Sequence, residues 1–120
     1  MDQIQESQGV WITLLLDRLR AKESRKGIKL NITTAKLSNR TLTIDPPLEL
    51  TPIFDESKKL YIIEDESLSI LVFAHNLELL HSELIEELFF LWDAYALEDP
   101  ELLTEKSQEL QTALQKRFHE

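Results

Sequence analysis

Between residues 8 and 24 apolar groups recur at three- and four-residue spacing. Trp11, Leu14, Leu15 and Leu19 line one side of an amphipathic helix, and Ser7 is placed to cap its start. Arg18, Arg20 and Lys22 fall in its last turns, Arg25 and Lys26 follow, and Gly27 stands just beyond. That order suits the negative end of a helix dipole and a left-handed cap. From Ile28 the period changes to two. Ile28, Leu30 and Ile32 alternate with Lys29, Asn31 and Thr33, which predicts a half-buried strand. A polar turn at Ser38-Asn39 leads to a second strand from Thr41 to Asp45, which Pro46 and Pro47 are expected to end. The stretch LELTPIF alternates again, and Pro52 within it indicates an edge position or a bulge.

The short turns DESKK and DES then join LYIIED and LSILVFA. Connections this short allow only antiparallel pairing, because a parallel return needs a crossover of about a dozen residues or more. SILVFA is almost wholly apolar, so it is expected at the centre of the sheet with both faces covered. Asn76 can cap a helix running to Ala96, and Asp99-Pro100 opens a further turn. A last helix from Thr104 to Phe118 places Leu110, Ala113, Leu114 and Phe118 on one side, with His119 in a frayed tail. The predicted fold is a single α+β domain: an antiparallel sheet of four to five strands with one N-terminal and two C-terminal helices, in the order α-β-β-β-β-β-α-α.

The helix over residues 76–96 carries more apolar groups than one buried side can hold. Taking about 100° per residue from Leu84, the residues Leu77, Leu80, Leu88, Leu91 and Tyr95 form a stripe expected to cover the sheet. Ile85, Phe89, Trp92 and Ala96 form a second flank, which needs another helix against it. Phe90 and Leu79 fall on the opposite side, among Glu83, Glu86 and Asp93. An apolar pair rimmed by carboxylates has the anatomy of a protein interface, so these five residues are the candidate partner-binding set.

Charge sharpens that picture. The 120-residue chain has a formal net charge of -9, but its distribution is uneven. Residues 11–40 carry eight bases against two acids, a balance of +6, whereas residues 41–120 carry five bases against eighteen acids, a balance of -13. The acidic part repels nucleic acid and attracts a basic protein. The basic segment 18–40 offers Arg18, Arg20, Lys22, Arg25, Lys26 and Lys29 as candidate nucleic-acid contacts. No aromatic residue between positions 12 and 53 is available to stack on bases, however, and pairing within the protein or a homodimer accounts better for these charges.

Chemistry is sparse. The chain has no cysteine, which excludes disulfides, thiolate nucleophiles and cysteine-ligated metals. Its glycines are Gly9 and Gly27, so there is no phosphate-cradling loop. His75 and His81 are six positions apart on a helix and cannot converge on a metal, and Glu64, Asp65 and Glu66 read as a solvated turn. No catalytic, cofactor or metal site is expected, and the protein is read as a non-enzyme. The opening MDQIQESQGV lacks the features of a signal peptide, and the apolar clusters are too short to span a bilayer, so a soluble cytoplasmic protein is expected.

Residues 50–92, LTPIFDESKKLYIIEDESLSILVFAHNLELLHSELIEELFFLW, resemble the core of HicB-like antitoxins, in which strands joined by a short polar turn lead into a helix opening on a pattern like Thr-Leu-Glu-Glu. Asn76, Leu77, Glu78 and Leu79 stand at that opening. His75 replaces the family's usual glycine, EDES replaces proline-rich residues between strands, and a short acidic helix stands where many such antitoxins carry a DNA-binding segment. The resemblance implies an inhibitor that binds a small basic ribonuclease toxin, without implying DNA binding. The alternatives are a homodimeric assembly factor or secretion-type chaperone, and nucleic-acid binding through residues 18–40.

Overall fold

A computed structural model describes residues 29–120. The expected N-terminal helix, with Arg18, Arg20, Lys22, Arg25 and Lys26, lies outside the described residues. Among those residues the class is α+β with antiparallel strands, but the strands divide between two three-stranded sheets. The first consists of β1 (Leu30–Leu37), β2 (Arg40–Leu50) and the short β6 (Phe118–His119), in the order β1-β2-β6. The second consists of β3 (Ile53–Asp55), β4 (Leu60–Asp65) and β5 (Ile70–Ala74), in that order. Helices α1 (Leu77–Leu91) and α2 (Glu105–Arg117) complete the set, and α1 continues into a wide π-type turn at Trp92–Ala96.

The single expected sheet splits at Thr51-Pro52. The alternating run LELTPIF is shared between two sheets: Leu48 and Leu50 pair with Ile32 and Leu30, while Ile53 pairs with Ile62. Proline without an N–H breaks the ladder there and lets the chain change sheets. Pro46-Pro47, by contrast, does not end its strand. β2 runs through both prolines, with a cis bond between Asp45 and Pro46. The register against β1 slips between Ile32 and Thr34, so residues 44–47 of β2 face a single intervening residue of β1. This irregularity removes the ladder bonds that the prolines could not donate. The freed carbonyls of Pro46 and Pro47 accept hydrogen bonds from the Arg117 guanidinium, with Nη2 at 3.0 and 2.6 Å.

Arg117 is the last residue of α2, and the chain then straightens to pair Phe118 with Ile44 and His119 with Thr43. The expected tail is therefore a strand, and Phe118 is fully buried. Its ring stacks on Trp92, with centroids 6.3 Å apart and planes 23° from parallel. The position expected for β5 also differs. It pairs only with β4 among the described residues, so SILVFA lies at a sheet edge and not at the centre. Ile70, Val72 and Ala74 are buried beneath α1, whereas Leu71 and Phe73 point outward and are exposed. An unbroken apolar run suits a strand covered on both faces, but the described residues supply only one cover.

The core is continuous beneath α1. Leu77, Leu80, Leu84, Leu88 and Leu91 are buried, as are Ile85, Phe89, Trp92 and Ala96. The helix lies against β4 and β5 of one sheet and β1 of the other, while α2 packs on its π-type end and on β2. No glycine follows Gly27, so the left-handed turn positions fall to Ser38, Lys59 and Ser69, each at φ 57°.

The ring of Phe118 joins the C-terminal strand, β2 and the end of α1. Phe118→Ala is expected to cost about 3–5 kcal/mol, the range for emptying a buried aromatic site. Urea unfolding with an unchanged m-value would show the loss as a lower midpoint.

Candidate functional site

The outer side of α1 begins at its cap. Asn76 is extended, and its Oδ1 accepts the Leu79 N–H at 2.8 Å, fixing the first turn and with it the direction of Leu79. From there Leu79, Glu83, Glu86 and Phe90 follow at four-, three- and four-residue steps, which keeps them on one face over roughly 16 Å. Leu79 is 51% exposed and Phe90 56%, and both glutamates between them are exposed. The Phe90 ring meets Tyr95 edge to face, with centroids 6.4 Å apart and planes 83° from parallel. Tyr95, expected on the sheet stripe, is partly buried against the core and also supports this ring.

Asp93 stands apart from the other candidate residues. The π-type turn, closed by the Leu97 N–H on the Trp92 carbonyl at 3.0 Å, places it beside Arg40. Arg40 Nη1 and Nη2 donate to the two Asp93 carboxylate oxygens at 3.0 and 2.8 Å. Its Nε and Nη2 also donate to Glu120, at 2.8 and 3.0 Å. Beneath the guanidinium lies the Phe89 ring, with its centroid 4.9 Å from Cζ. Glu120 in turn accepts the indole N–H of Trp92 at 2.9 Å. One planar guanidinium thus grips two carboxylates in a bidentate manner, a geometry that lysine could not supply.

These contacts hold the Asp93 and Glu120 carboxyls below the usual carboxylate range, chiefly through the hydrogen bonds from Arg40, and raise the guanidinium further. Nearly half of the Asp93 side chain is exposed, so solvent screens the Coulomb part and the clamp acts mainly by fixing geometry. Glu87 behaves oppositely: partial burial, with the charge of Glu83 four residues earlier, pushes its carboxyl up. The acidic stripe facing solvent is therefore Glu83 and Glu86 with Glu87 at its margin, while Asp93 already has a cation.

Of the candidate nucleic-acid contacts only Lys29 lies among the described residues. It is exposed and 3.7 Å from Glu49, an ion pair between two solvated side chains that contributes little. In the acidic run, Asp65 caps a short 3-10 turn by accepting from Ser67 N and Oγ at 2.9 and 2.7 Å. His75 Nδ1 lies 3.1 Å from the Lys59 carbonyl, and burial pushes the His81 imidazole down. Among the described residues no group of three histidines, acids or cysteines is placed to hold a metal ion. Nor is any described helix long and apolar enough to cross a membrane. An open groove of about 320 Å³ between α2 and the β4–β5 connection is lined by Ser67, Glu109, Thr112, Lys116 and Arg117 among others.

Two features carry no signal in the sequence pattern. The Arg40 clamp joins positions 53 and 80 residues apart, which no local periodicity reveals. The exposed apolar face of the second sheet runs against the pattern of SILVFA, whose unbroken apolar residues predict cover on both sides. No protein-family model, curated protein or solved structure matches the chain.

The clamp has a definite pH signature. Because the folded carboxyl values are depressed, the unfolded chain takes up protons first as pH falls, so the stabilisation is present above the ordinary carboxylate range and is lost as pH falls through the depressed folded values. Arg40→Met should therefore lower the melting temperature at neutral pH and converge on wild type in acid. A difference that does not change with pH would mean that Arg40 acts only by packing on Phe89.

Proposed function

We propose that this protein works by binding another protein and not by catalysis, with the outer face of α1 as the contact surface. The observation that carries the reading is the pair Leu79 and Phe90, each about half exposed, with Glu83 and Glu86 between them. Two apolar anchors enclosing a charged centre suit a partner with matching apolar pockets and basic residues at its contact surface. Glu83 and Glu87 also stand four positions apart on the helix, where like charges repel, and an approaching cation relieves that repulsion. Asp93 contributes indirectly, since Arg40 fixes the end of the helix through it.

The occupant that fits this chemistry is a basic protein. Together with the likeness of residues 50–92 to HicB-like antitoxins, this makes a small basic ribonuclease the proposed partner and inhibition in the cytoplasm the proposed role. A homodimeric assembly factor is the second reading, and the observation favouring it lies on the second sheet, away from α1.

Phe90→Asp adds a fourth carboxylate to Glu83, Glu86 and Glu87 and removes one anchor. It should weaken partner binding by at least about thirtyfold, as loss of a hot spot does, and leave the melting temperature within about 2 °C of wild type. Affinity capture from cells with wild-type and variant bait, followed by a ribonuclease assay on the captured protein with and without added wild type, measures both points. Capture unaffected by the substitution would remove α1 as the contact surface. A large loss of stability would show that Phe90 belongs to the core.

A further inference from the structure

The two sheets treat their outer faces differently. On the first, the outward positions of β1 and β2 are Asn31, Thr34 and Lys36 opposite Glu49, Thr43 and Thr41, an ordinary solvated surface. On the second, Ile53, Ile62 and Phe73 stand directly across from one another on β3, β4 and β5 and form an apolar row. Ile53 is 64% exposed and Phe73 57%, and Leu71 beside them is 54% exposed. Cross-strand partners share a face, so Leu60 and Ile62 extend the same surface along β4. A contiguous apolar patch of this kind marks a contact site.

The charges at its two ends indicate what covers it. At one end, β4 finishes with Glu64, which stands on this face across from Leu71, and Glu66 follows in the connection, while Asp65 falls on the other face across from Ile70 and bonds Ser67. At the other, the β3–β4 turn carries exposed Lys58 and Lys59 beside Glu56, with Asp55 bonded to its own turn through Ser57 and Lys58. The patch is thus apolar in the middle, acidic at one end and supplied with cations at the other. A two-fold arrangement needs a surface complementary to itself, and this one is so in a single sense. With strands antiparallel, the acids of one copy meet Lys58 and Lys59 of the other. With strands parallel, the four carboxylates of Glu64 and Glu66 from the two copies would meet with no cation between them.

We infer that a second copy of this chain packs on the outer face of β3, β4 and β5, sheet against sheet with the strands antiparallel, burying Ile53, Leu71 and Phe73 of both copies. The contact lies on a different surface from that of the proposed function and does not depend on it. Stacked sheets sit about 10 Å apart with their apolar faces interleaved, and the Ile53–Ile62–Phe73 row supplies such a face.

Light scattering on the full chain at tens of micromolar should give twice the 14.0 kDa chain mass. Phe73→Asp, and separately Leu71→Lys, should give a monomer with an unchanged far-UV circular dichroism spectrum, whereas Phe90→Asp should remain a dimer. Reversing both lysines to glutamate should weaken the dimer about tenfold, and adding Glu64→Lys and Glu66→Lys should restore it. A wild-type monomer would overturn the proposal, including one in which Phe73→Asp lowers the melting temperature because the chain's own residues cover the face. So would a dimer that survives Phe73→Asp, or a series of larger species growing with concentration, since a two-fold contact closes. Lysine reversal without effect would overturn the antiparallel arrangement.

Discussion

A helix with apolar groups around more than half of its circumference cannot be satisfied by one sheet, and the fold is organised around that constraint. On α1 the Leu77, Leu80, Leu84, Leu88 and Leu91 side takes the sheets, while Ile85, Phe89, Trp92 and Ala96 need a second cover. The chain supplies it by turning back through α2 and returning to β2 as a strand, so that Phe118 reaches the Trp92 ring. Hydrophobic burial sets the need, and the polar contacts fix the geometry. Arg117 ties off the two proline carbonyls, Gln111 Nε2 donates to the carbonyls of Tyr95 and Glu98, and Arg40 fastens the helix end to the last residue.

Periodicity gave a good account of the parts whose burial is local. The alternation of Leu30 and Ile32 with Asn31 and Thr33 and the three- and four-residue stripes of α1 appear where the pattern places them, and Asn76 caps the helix as its residue type suggests. Proline was harder to read. Pro46-Pro47 could end a strand or sit in a bulge, and the choice depends on Arg117, which is distant in sequence and arrives to take the carbonyls. Pro52 marks a disturbance in the pattern, but whether it bends one strand or separates two sheets is a tertiary outcome. The position of β5 has a different origin: an apolar run states that burial is favourable on both faces, and not which element supplies it, and among the described residues β5 is an edge strand.

At the candidate site the five residues separate by their partners. Leu79, Glu83, Glu86 and Phe90 share one exposed face of α1, and Asp93 turns to Arg40. Helical geometry was enough to group the first four, because they lie on one regular element. It could not assign Asp93, whose environment is set by a π-type turn and by a residue on β2. Two apolar surfaces consequently remain uncovered among the described residues, one with acids between its apolar ends on a helix and one bounded by both signs of charge on a sheet. Their different electrostatics suit different occupants, a basic partner for the first and an identical chain for the second.

The claim on which this account rests is that neighbouring rings of α1 have opposite fates, Phe89 closed into the core and Phe90 open to solvent. Hydroxyl-radical footprinting of the full chain, read residue by residue by mass spectrometry, tests it directly. The account predicts rapid oxidation of Phe90 and Leu79 alongside protection of Phe89 and Trp92. Equal protection of Phe89 and Phe90 would contradict it, because the outer face of α1 would then already be covered.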